Sequence, residues 1–224
     1  MQGEYPPKHR ELTFWWILAI LRFVSPITHV EMPMTTGVRT LDRPWNIADR
    51  SLLVQALWIA GFAVATAVGA RFEIPHQPVP FTLQTMVVLL AGAFLGPRNG
   101  ALSQLLYLGA GALGLPVFAG GAPGFAHLIG PTGGYLLAFP AAAAVAGYLV
   151  TMRRSLWWTV LSMAAGLLVI FASGTLHLYA FYIKDAASAF AAGFLIFSWW
   201  DMLKLGAASM IYFEIAKRYS RLGN

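Results

Sequence analysis

The chain has 224 residues, of which 58% are hydrophobic and 11% are charged, and its mean hydropathy is +0.65. Soluble domains carry about 25% charged residues, so this composition excludes an ordinary soluble protein and indicates a polytopic membrane protein. The chain has no cysteine, which excludes disulfides, thiolate metal sites and a cysteine nucleophile. The net charge of +6 would suit either an acidic partner or a membrane, and its distribution along the chain decides between them.

The first 50 residues are predicted to form an N-terminal extension on the cytoplasmic side. Residues 12–24 are apolar, but they cover only about half a bilayer and Arg22 interrupts them. Two interpretations stay open. The stretch is either an interfacial helix with Trp15 and Trp16 at the lipid headgroups, or part of a poorly ordered extension.

Six apolar stretches follow, and they predict an all-α polytopic membrane protein with six transmembrane helices within residues 51–219. The stretches cover about 51–70, 82–96, 99–115, 132–151, 156–182 and 199–216. With the N-terminus in the cytoplasm, twelve basic residues fall on the cytoplasmic side and two, Arg71 and Lys184, on the outer side. The charge is therefore a topology signal that places both termini in the cytoplasm, and it argues against nucleic-acid binding.

The first predicted span carries a stripe of alanines at helical spacing: Ala56, Ala60, Ala63 and Ala67. On a helix these four lie within about 60° of one another. Small residues let helix backbones approach closely in a membrane, where dispersion drives association. The stripe is either a docking face for a partner membrane protein or ordinary packing inside the same bundle.

Three segments on the predicted outer side depart from the helical pattern: residues 71–82, 115–132 and 183–198. The first contains three prolines in six positions, and the second lies in a stretch with seven glycines and three prolines between Gly114 and Gly134. Non-helical backbone at membrane depth is tolerated where it is buried in protein or lines a cavity. We therefore expect a polar site that opens outward and is covered by these segments.

Asp201 and Lys204 lie where the last outer segment meets the final span. Their i, i+3 spacing places both on one helix face, and ionisable residues inside membrane segments are functional candidates by default. The carboxylate can accept N–H groups of a ligand, and the ammonium can meet a ligand carbonyl or carboxylate. The alternative is an interfacial ion pair whose lysine extends to the headgroups. For His76 and His127, in the outer loops, exposure at the headgroup level is the favoured interpretation.

Catalysis is not indicated by any motif. The chain has no GxxxxGK[ST], HExxH or GxSxG sequence. An intramembrane enzyme using Asp201 would need a second catalytic group on a facing span, and residues 82–182 contain no carboxylate. Neither catalytic residues nor a metal or cofactor is therefore predicted. A membrane protein without a transport role is a further alternative, which segments so rich in Gly and Pro disfavour.

Three sequences together resemble the BioY family, which comprises the substrate-binding membrane subunits (S-components) of energy-coupling factor (ECF) transporters for biotin. They are VPFTLQT (79–85), LGPRNGALSQLLYLGAGALGLPVFAGGAPG (95–124) and GPTGGYLLAF (130–139). The resemblance is close over 51–151 and looser towards the C-terminus. It implies a six-helix S-component fold in the cytoplasmic membrane of a prokaryote, with high-affinity capture of biotin from outside.

The resemblance also implies a partner. Uptake in such systems is driven by a separate module of two ATPases and a transmembrane coupling protein, which agrees with the missing phosphate-binding motif. S-components dock the coupling protein through an AxxxA pattern in helix 1, so the alanine stripe becomes the expected docking face.

The ligand contacts implied by the resemblance centre on the C-terminal pattern, whose Asp and Lys contact biotin in the family. Here that pattern reads IFSWWDMLK, so Asp201 and Lys204 match, while Ser198 and Trp200 replace the usual Pro and Gly. This departure keeps an S-component for another small vitamin as an alternative. The remaining predicted contacts are the apolar walls Phe81, Phe118 and Tyr135, the glycine backbones of Gly120, Gly121 and Gly133, and the motif residues Thr82 and Gln84.

Overall fold

The computed structural model describes residues 47, 50–121, 124–195 and 198–222. The predicted N-terminal extension therefore lies outside the described residues, except for Ile47 and Arg50. The described part has seven α-helices, a two-stranded hairpin and a 3₁₀ turn. In chain order they are α1 (Leu52–Arg71), β1 (Glu73–Ile74), β2 (Phe81–Thr82), α2 (Gln84–Ala112), the 3₁₀ turn (Ala119–Gly121), α3 (Ala126–Ile129), α4 (Gly133–Leu149), α5 (Leu156–Phe181), α6 (Ala186–Gly193) and α7 (Ser198–Leu222).

Three of the described helices, α1, α2 and α5, are long and apolar enough to cross a membrane, and α4 is a shorter apolar helix of 17 residues. The last helix, α7, has 25 residues and is less apolar than these four, because it carries Asp201 and Lys204 near its start and further charges near its end. The predicted all-helical membrane architecture is confirmed at this level.

Helix α2 is broken at Gly96, which adopts φ 87° and ψ 175° and is followed by Pro97. A Cβ added to Gly100 would lie 2.8 Å from the Cα of Gly92. In a continuous helix, residues eight positions apart are separated by about 12 Å, so the segments 84–95 and 97–112 fold back on each other. The tight antiparallel turn predicted at Gly96-Pro97-Arg98 is present.

Beside the turn at Gly96, the backbones of α2 and α4 are in direct contact. A Cβ added to Gly92 would lie 2.1 Å from the carbonyl oxygen of Ala143 on α4, and one added to Gly147 would lie 2.5 Å from the carbonyl oxygen of Gly92. Glycine is required at both positions because any side chain would collide with backbone. This contact holds the end of α4 against α2 at the turn.

Helix α1 lies at the edge of the bundle. Only 17% of its most apolar window is buried within the chain, against 56% for α2. Thr66 is fully buried against α2: its hydroxyl donates to the carbonyl of Phe62 at 2.8 Å and lies 3.2 Å from the Oε1 atom of Gln104 on α2. Most of the α1 surface therefore faces away from the rest of the described chain.

The outer segments are more ordered than the sequence predicts. Residues 73–82 form an antiparallel hairpin with Glu73 opposite Thr82, and residues 115–132 contain the 3₁₀ turn and α3. Irregular structure was the wrong prediction for 186–193, because Asp185 caps α6 by accepting the N–H of Ser188 at 2.8 Å and the segment is rich in alanine. Hydrogen bonds from the side chain and backbone of Ser188 lower the pKa of the Asp185 carboxyl.

Candidate functional site

The charged pair on α7 is buried at the end of the bundle that carries the hairpin. Asp201 is 1% exposed, and its Oδ1 atom lies 2.7 Å from the Nζ atom of Lys204. One helical turn separates the two residues, so both project from the same face of α7, as their spacing predicts. An ion pair this deeply buried needs further hydrogen bonds to offset the loss of hydration.

Those hydrogen bonds come from the segment that joins the hairpin to α2. Thr85 donates its hydroxyl proton to Asp201 Oδ1 at 2.8 Å and accepts a hydrogen bond from Lys204 Nζ at 3.0 Å. The backbone carbonyl of Thr82 accepts a hydrogen bond from Lys204 Nζ at 2.8 Å. The three N–H donors of the ammonium are thus matched by three protein acceptors.

The second carboxylate oxygen of Asp201 is different. Oδ2 is buried, and no hydrogen-bond partner for it is found among the described residues. A buried charged oxygen without a hydrogen bond destabilises the folded chain. The free-energy cost of leaving it unpaired is larger than the net gain from a typical hydrogen bond. This atom is therefore an acceptor prepared for a donor group that the described part of the chain does not supply.

Asp201 lines a small, partly open cavity of about 50 Å³ between the hairpin, the 113–132 segment and helices α4, α5 and α7. Of the predicted site residues, the structure brings five to this cavity: Thr82, Gln84, Tyr135, Asp201 and Lys204. Sequence reasoning missed Thr85, although it closes the VPFTLQT motif. It also missed Val79, Pro80, Ala119, Thr132, Leu136, Phe139, Ile170 and Phe171, which also line the cavity.

Two of the lining residues are held by hydrogen bonds across the site. The side-chain amide of Gln84 donates from Nε2 to the Tyr107 hydroxyl at 2.6 Å and accepts from the Thr82 hydroxyl at Oε1 at 3.0 Å. The Tyr135 hydroxyl donates to the carbonyl of Gly193 at 2.7 Å, which ties α4 to the end of α6. These contacts fix the walls of the cavity without using Asp201.

The remaining predicted contacts lie outside the lining of this cavity. Phe118 is fully buried and sits behind His127, whose ring stacks on it with centroids 5.1 Å apart and planes at 12°. Gly133 packs against the backbone of Leu128, so that an added Cβ would lie 1.9 Å from its carbonyl oxygen. The glycines of the 3₁₀ turn lie nearer the rim, where a Cβ on Gly121 would lie 2.7 Å from the Nη1 atom of Arg71.

A second, larger cavity of about 600 Å³ lies on the other side of the hairpin, between the end of α1 and α7. Phe81 and Trp200 line it, and it shares Thr82 and Lys204 with the first cavity. Its walls are mostly apolar and half-exposed, and none of its described lining residues carries a buried polar atom without a partner. We assign the candidate site to the smaller cavity because the unpaired Asp201 oxygen lies there.

Comparisons with known proteins identify the family of the chain. The model of the BioY family matches residues 41–221. The chain belongs to the BioY family. It is 42% identical over 156 residues to the biotin transporter BioY of Thermotoga maritima, with 70% of this chain and 92% of that protein covered. It is 44% identical over 153 residues to the probable biotin transporter BioY of Pyrococcus horikoshii, with 68% and 90% covered.

A solved structure has the same fold as this BioY-family chain. It is the S-component for biotin from an ECF-type ABC transporter, with a TM-score of 0.69 and 24% sequence identity, covering 74% of this chain and 92% of that one. The similarity establishes the S-component fold for the chain.

In this BioY-family chain the alanine stripe of α1 is divided between surface and core. Ala56 and Ala60 are exposed, Ala67 is half-buried, and Ala63 is 7% exposed within the hydrophobic core. Gly61, beside the exposed pair, has open space where a side chain would be. The N-terminal half of the predicted docking face is therefore exposed, whereas Ala63 is covered by the rest of the chain.

His127 lines the cavity and differs from the exposed loop histidine that the sequence favoured. Burial lowers the pKa of its imidazole, and the nearby carboxylate of Glu73 opposes part of this shift. The ring is therefore neutral at pH 7 and contributes a flat, uncharged surface to the cavity.

Proposed function

We propose that this chain is the biotin-binding S-component of an ECF-type transporter and takes up biotin across the cytoplasmic membrane. The observation that carries the proposal is the buried, unpaired Oδ2 of Asp201 at a small cavity in a BioY-family chain. Biotin has a cyclic urea with two N–H donors and one carbonyl, and a carboxylate is the strongest acceptor that a protein offers to such donors. The relatives named biotin transporters support this choice of ligand.

In the proposed complex the urea lies deepest, with an N–H on Asp201 Oδ2 and Lys204 beside it. The thiophane ring and methylene chain pack against the apolar walls that include Tyr135. The valerate carboxylate reaches the rim, where the Gly120–Gly121 backbone and the Arg71 guanidinium lie together. Phe81, Phe118 and Gly133 support these walls from outside the cavity lining, and Thr82 and Gln84 close the site from the hairpin side.

Ligand entry requires the walls to move. A cavity of about 50 Å³ accommodates only a few water molecules, far less than a vitamin. The walls on the outer side are the 73–82 hairpin and the 113–132 segment, which are short connections outside the long helices. We propose that these two segments open to admit biotin and close over it.

The membrane arrangement is proposed to have six crossings with both termini in the cytoplasm. The break at Gly96 divides α2 into two crossings, and α1, α4, α5 and α7 supply the other four. The transmembrane coupling protein of the ECF module, whose other two subunits are the ATPases, would dock on the exposed Ala56 and Ala60 side of α1.

Equilibrium binding of biotin to the purified, detergent-solubilised chain tests the proposal, with Asp201→Asn as the variant. We expect nanomolar affinity, about −12 kcal/mol, and a loss of at least about 100-fold in the variant. Asp185→Asn is the matched control, because it neutralises an exposed carboxylate at a helix cap where Asn serves equally well.

Two outcomes would change the proposal. Tight binding that survives Asp201→Asn would keep biotin but move the ligand contacts to the outer segments. Folded protein that does not bind biotin would overturn the proposal. A screen of other small vitamins would then follow, since Trp200 replaces the family's glycine beside the site.

A further inference from the structure

We propose that Thr85 is a positioning residue that selects which oxygen of Asp201 is presented to the ligand. The inference deepens the proposed function and rests on it for the identity of the ligand. Thr85 lies at the start of α2, 116 residues before Asp201, and lines the same cavity. Its contacts divide the carboxylate into an occupied oxygen and a free one.

The occupied oxygen is Oδ1. It accepts the Thr85 hydroxyl proton at 2.8 Å and lies 2.7 Å from Lys204 Nζ. The hydroxyl has one proton to give, and it also accepts from Lys204 Nζ at 3.0 Å. Thr85 can therefore accept from Lys204 and donate to Asp201 at the same time only while Oδ1 of the carboxylate faces the hydroxyl.

Lys204 is held by the same contacts. Its three donors go to the Thr82 carbonyl, the Thr85 hydroxyl and Asp201 Oδ1, at 2.8, 3.0 and 2.7 Å. In this state the ammonium balances the negative charge of Asp201 but has no N–H group left for a ligand in the cavity. The deep end of the cavity thus presents an acceptor, Asp201 Oδ2, and selects ligands with N–H donors, such as a cyclic urea or amide, over anionic groups.

The hydroxyl of Thr85 is the part that matters for this role. Valine has nearly the same shape but no hydroxyl, so Thr85→Val would leave one Lys204 donor unpaired and Oδ1 with one contact fewer. The carboxylate would then be free to rotate, and Oδ2 would turn towards Lys204. Serine keeps the hydroxyl, so Thr85→Ser preserves the arrangement.

Biotin binding to the full-length chain in detergent tests this role with four variants: Thr85→Val, Thr85→Ser, Asp201→Asn and the Thr85→Val/Asp201→Asn double variant. We expect Thr85→Val to weaken binding 10- to 100-fold and Thr85→Ser to change it less than threefold. In the Asp201→Asn background, Thr85→Val should change affinity less than twofold, because the carboxylate it positions is gone. Thr159→Val is the matched control, since its buried hydroxyl bonds to the backbone carbonyl of Ser155 at the start of α5 and does not line the cavity.

A purely structural role would give a different pattern. Thr85→Val would then lower affinity by the same factor with or without the Asp201 carboxylate, and that result would overturn the proposal. Wild-type affinity in Thr85→Val would overturn it as well. If Thr85→Val does not yield folded protein, Thr85→Ala, which introduces no extra volume, takes its place in the same comparison.

Infrared spectroscopy of the ligand-free chain separates this inference from the identity of the ligand. The Asp201 carboxylate band is obtained as the difference between wild type and Asp201→Asn. We expect Thr85→Val to shift that band and Thr85→Ser to leave it in place. An unchanged band in Thr85→Val would refute the positioning role. If biotin does not bind to the wild type but the band shifts, the proposed ligand fails while the positioning of Asp201 by Thr85 stands.

Discussion

Gly174 on α5 is a position where one added methyl group should disturb the site from outside it. A Cβ built on Gly174 would lie 2.3 Å from two ring carbons of Tyr135, whereas ordinary contact begins at 3.4 Å. In Gly174→Ala the ring must therefore retreat by about 1.1 Å (3.4 − 2.3) unless the helices separate. Such a retreat breaks the 2.7 Å hydrogen bond from the Tyr135 hydroxyl to Gly193 and pushes the ring into the cavity.

The expected magnitude follows from three contributions. Overpacking costs about 1–3 kcal/mol and the lost hydrogen bond about 1 kcal/mol, while alanine in place of glycine in a helix returns up to about 1 kcal/mol. The free energy of unfolding should fall by about 1–4 kcal/mol, and biotin affinity should fall about tenfold or more because Tyr135 lines the site. Denaturant unfolding and biotin titration of the purified chain measure the two effects.

Gly109→Ala is the matched control, because a Cβ at Gly109, also in a helix, meets nothing within 4 Å. It should leave biotin affinity unchanged and leave stability equal or slightly higher. If Gly174→Ala proves as stable as Gly109→Ala and binds biotin like the wild type, the contact with Tyr135 does not constrain the site and the reasoning is wrong.

Three further predictions concern pH, packing and docking. The pKa of His127 is lowered in the folded chain, so the unfolded chain binds more protons and stability falls as the pH drops below about 6.5. Between pH 8 and pH 5 the melting temperature should therefore fall less in His127→Gln than in the wild type. Equal falls in melting temperature would contradict this. Gly92→Ala would place a Cβ 2.1 Å from the Ala143 carbonyl oxygen, so we expect no folded, monodisperse protein in size-exclusion chromatography. An elution profile like that of the wild type would contradict this prediction. Ala60→Leu, on the exposed side of α1, should preserve biotin binding but reduce biotin uptake in cells that contain the ECF module; unchanged uptake would argue against docking there.

The local half of the site could be predicted from sequence. Asp201 and Lys204 are one helical turn apart, and helical geometry alone brings them together. Thr85 could not be placed in the same way. It lies 116 residues from Asp201, and the contact depends on how α2 and α7 pack. No periodicity in either segment encodes that packing.

The irregular segments were the hardest to predict in detail. Phe118 was expected at the ligand but points into the core, where Gly111 leaves room for its ring and His127 covers it. In a helix, spacing indicates which face a side chain occupies, but a segment rich in Gly and Pro has no such period. Ala63 shows the same limit on a helix, because a stripe of small residues does not reveal how much of it the rest of the chain covers.

Thr82 and Thr85 lie far along the sequence from the ion pair that they bond, and this separation determines when the site can form during synthesis. Thr82 and Thr85 are made early, but they can bond Lys204 only after α7 has been translated and has docked against α2. Until then, the Thr82 carbonyl and the Thr85 hydroxyl have no Lys204 to bond, and the cavity has no wall from α7. A chain cleaved at the Arg153-Arg154 turn would divide the site between two fragments. Under the proposed function, ligand binding therefore reports correct assembly, because a partial chain or a misdocked last helix would lack part of the site.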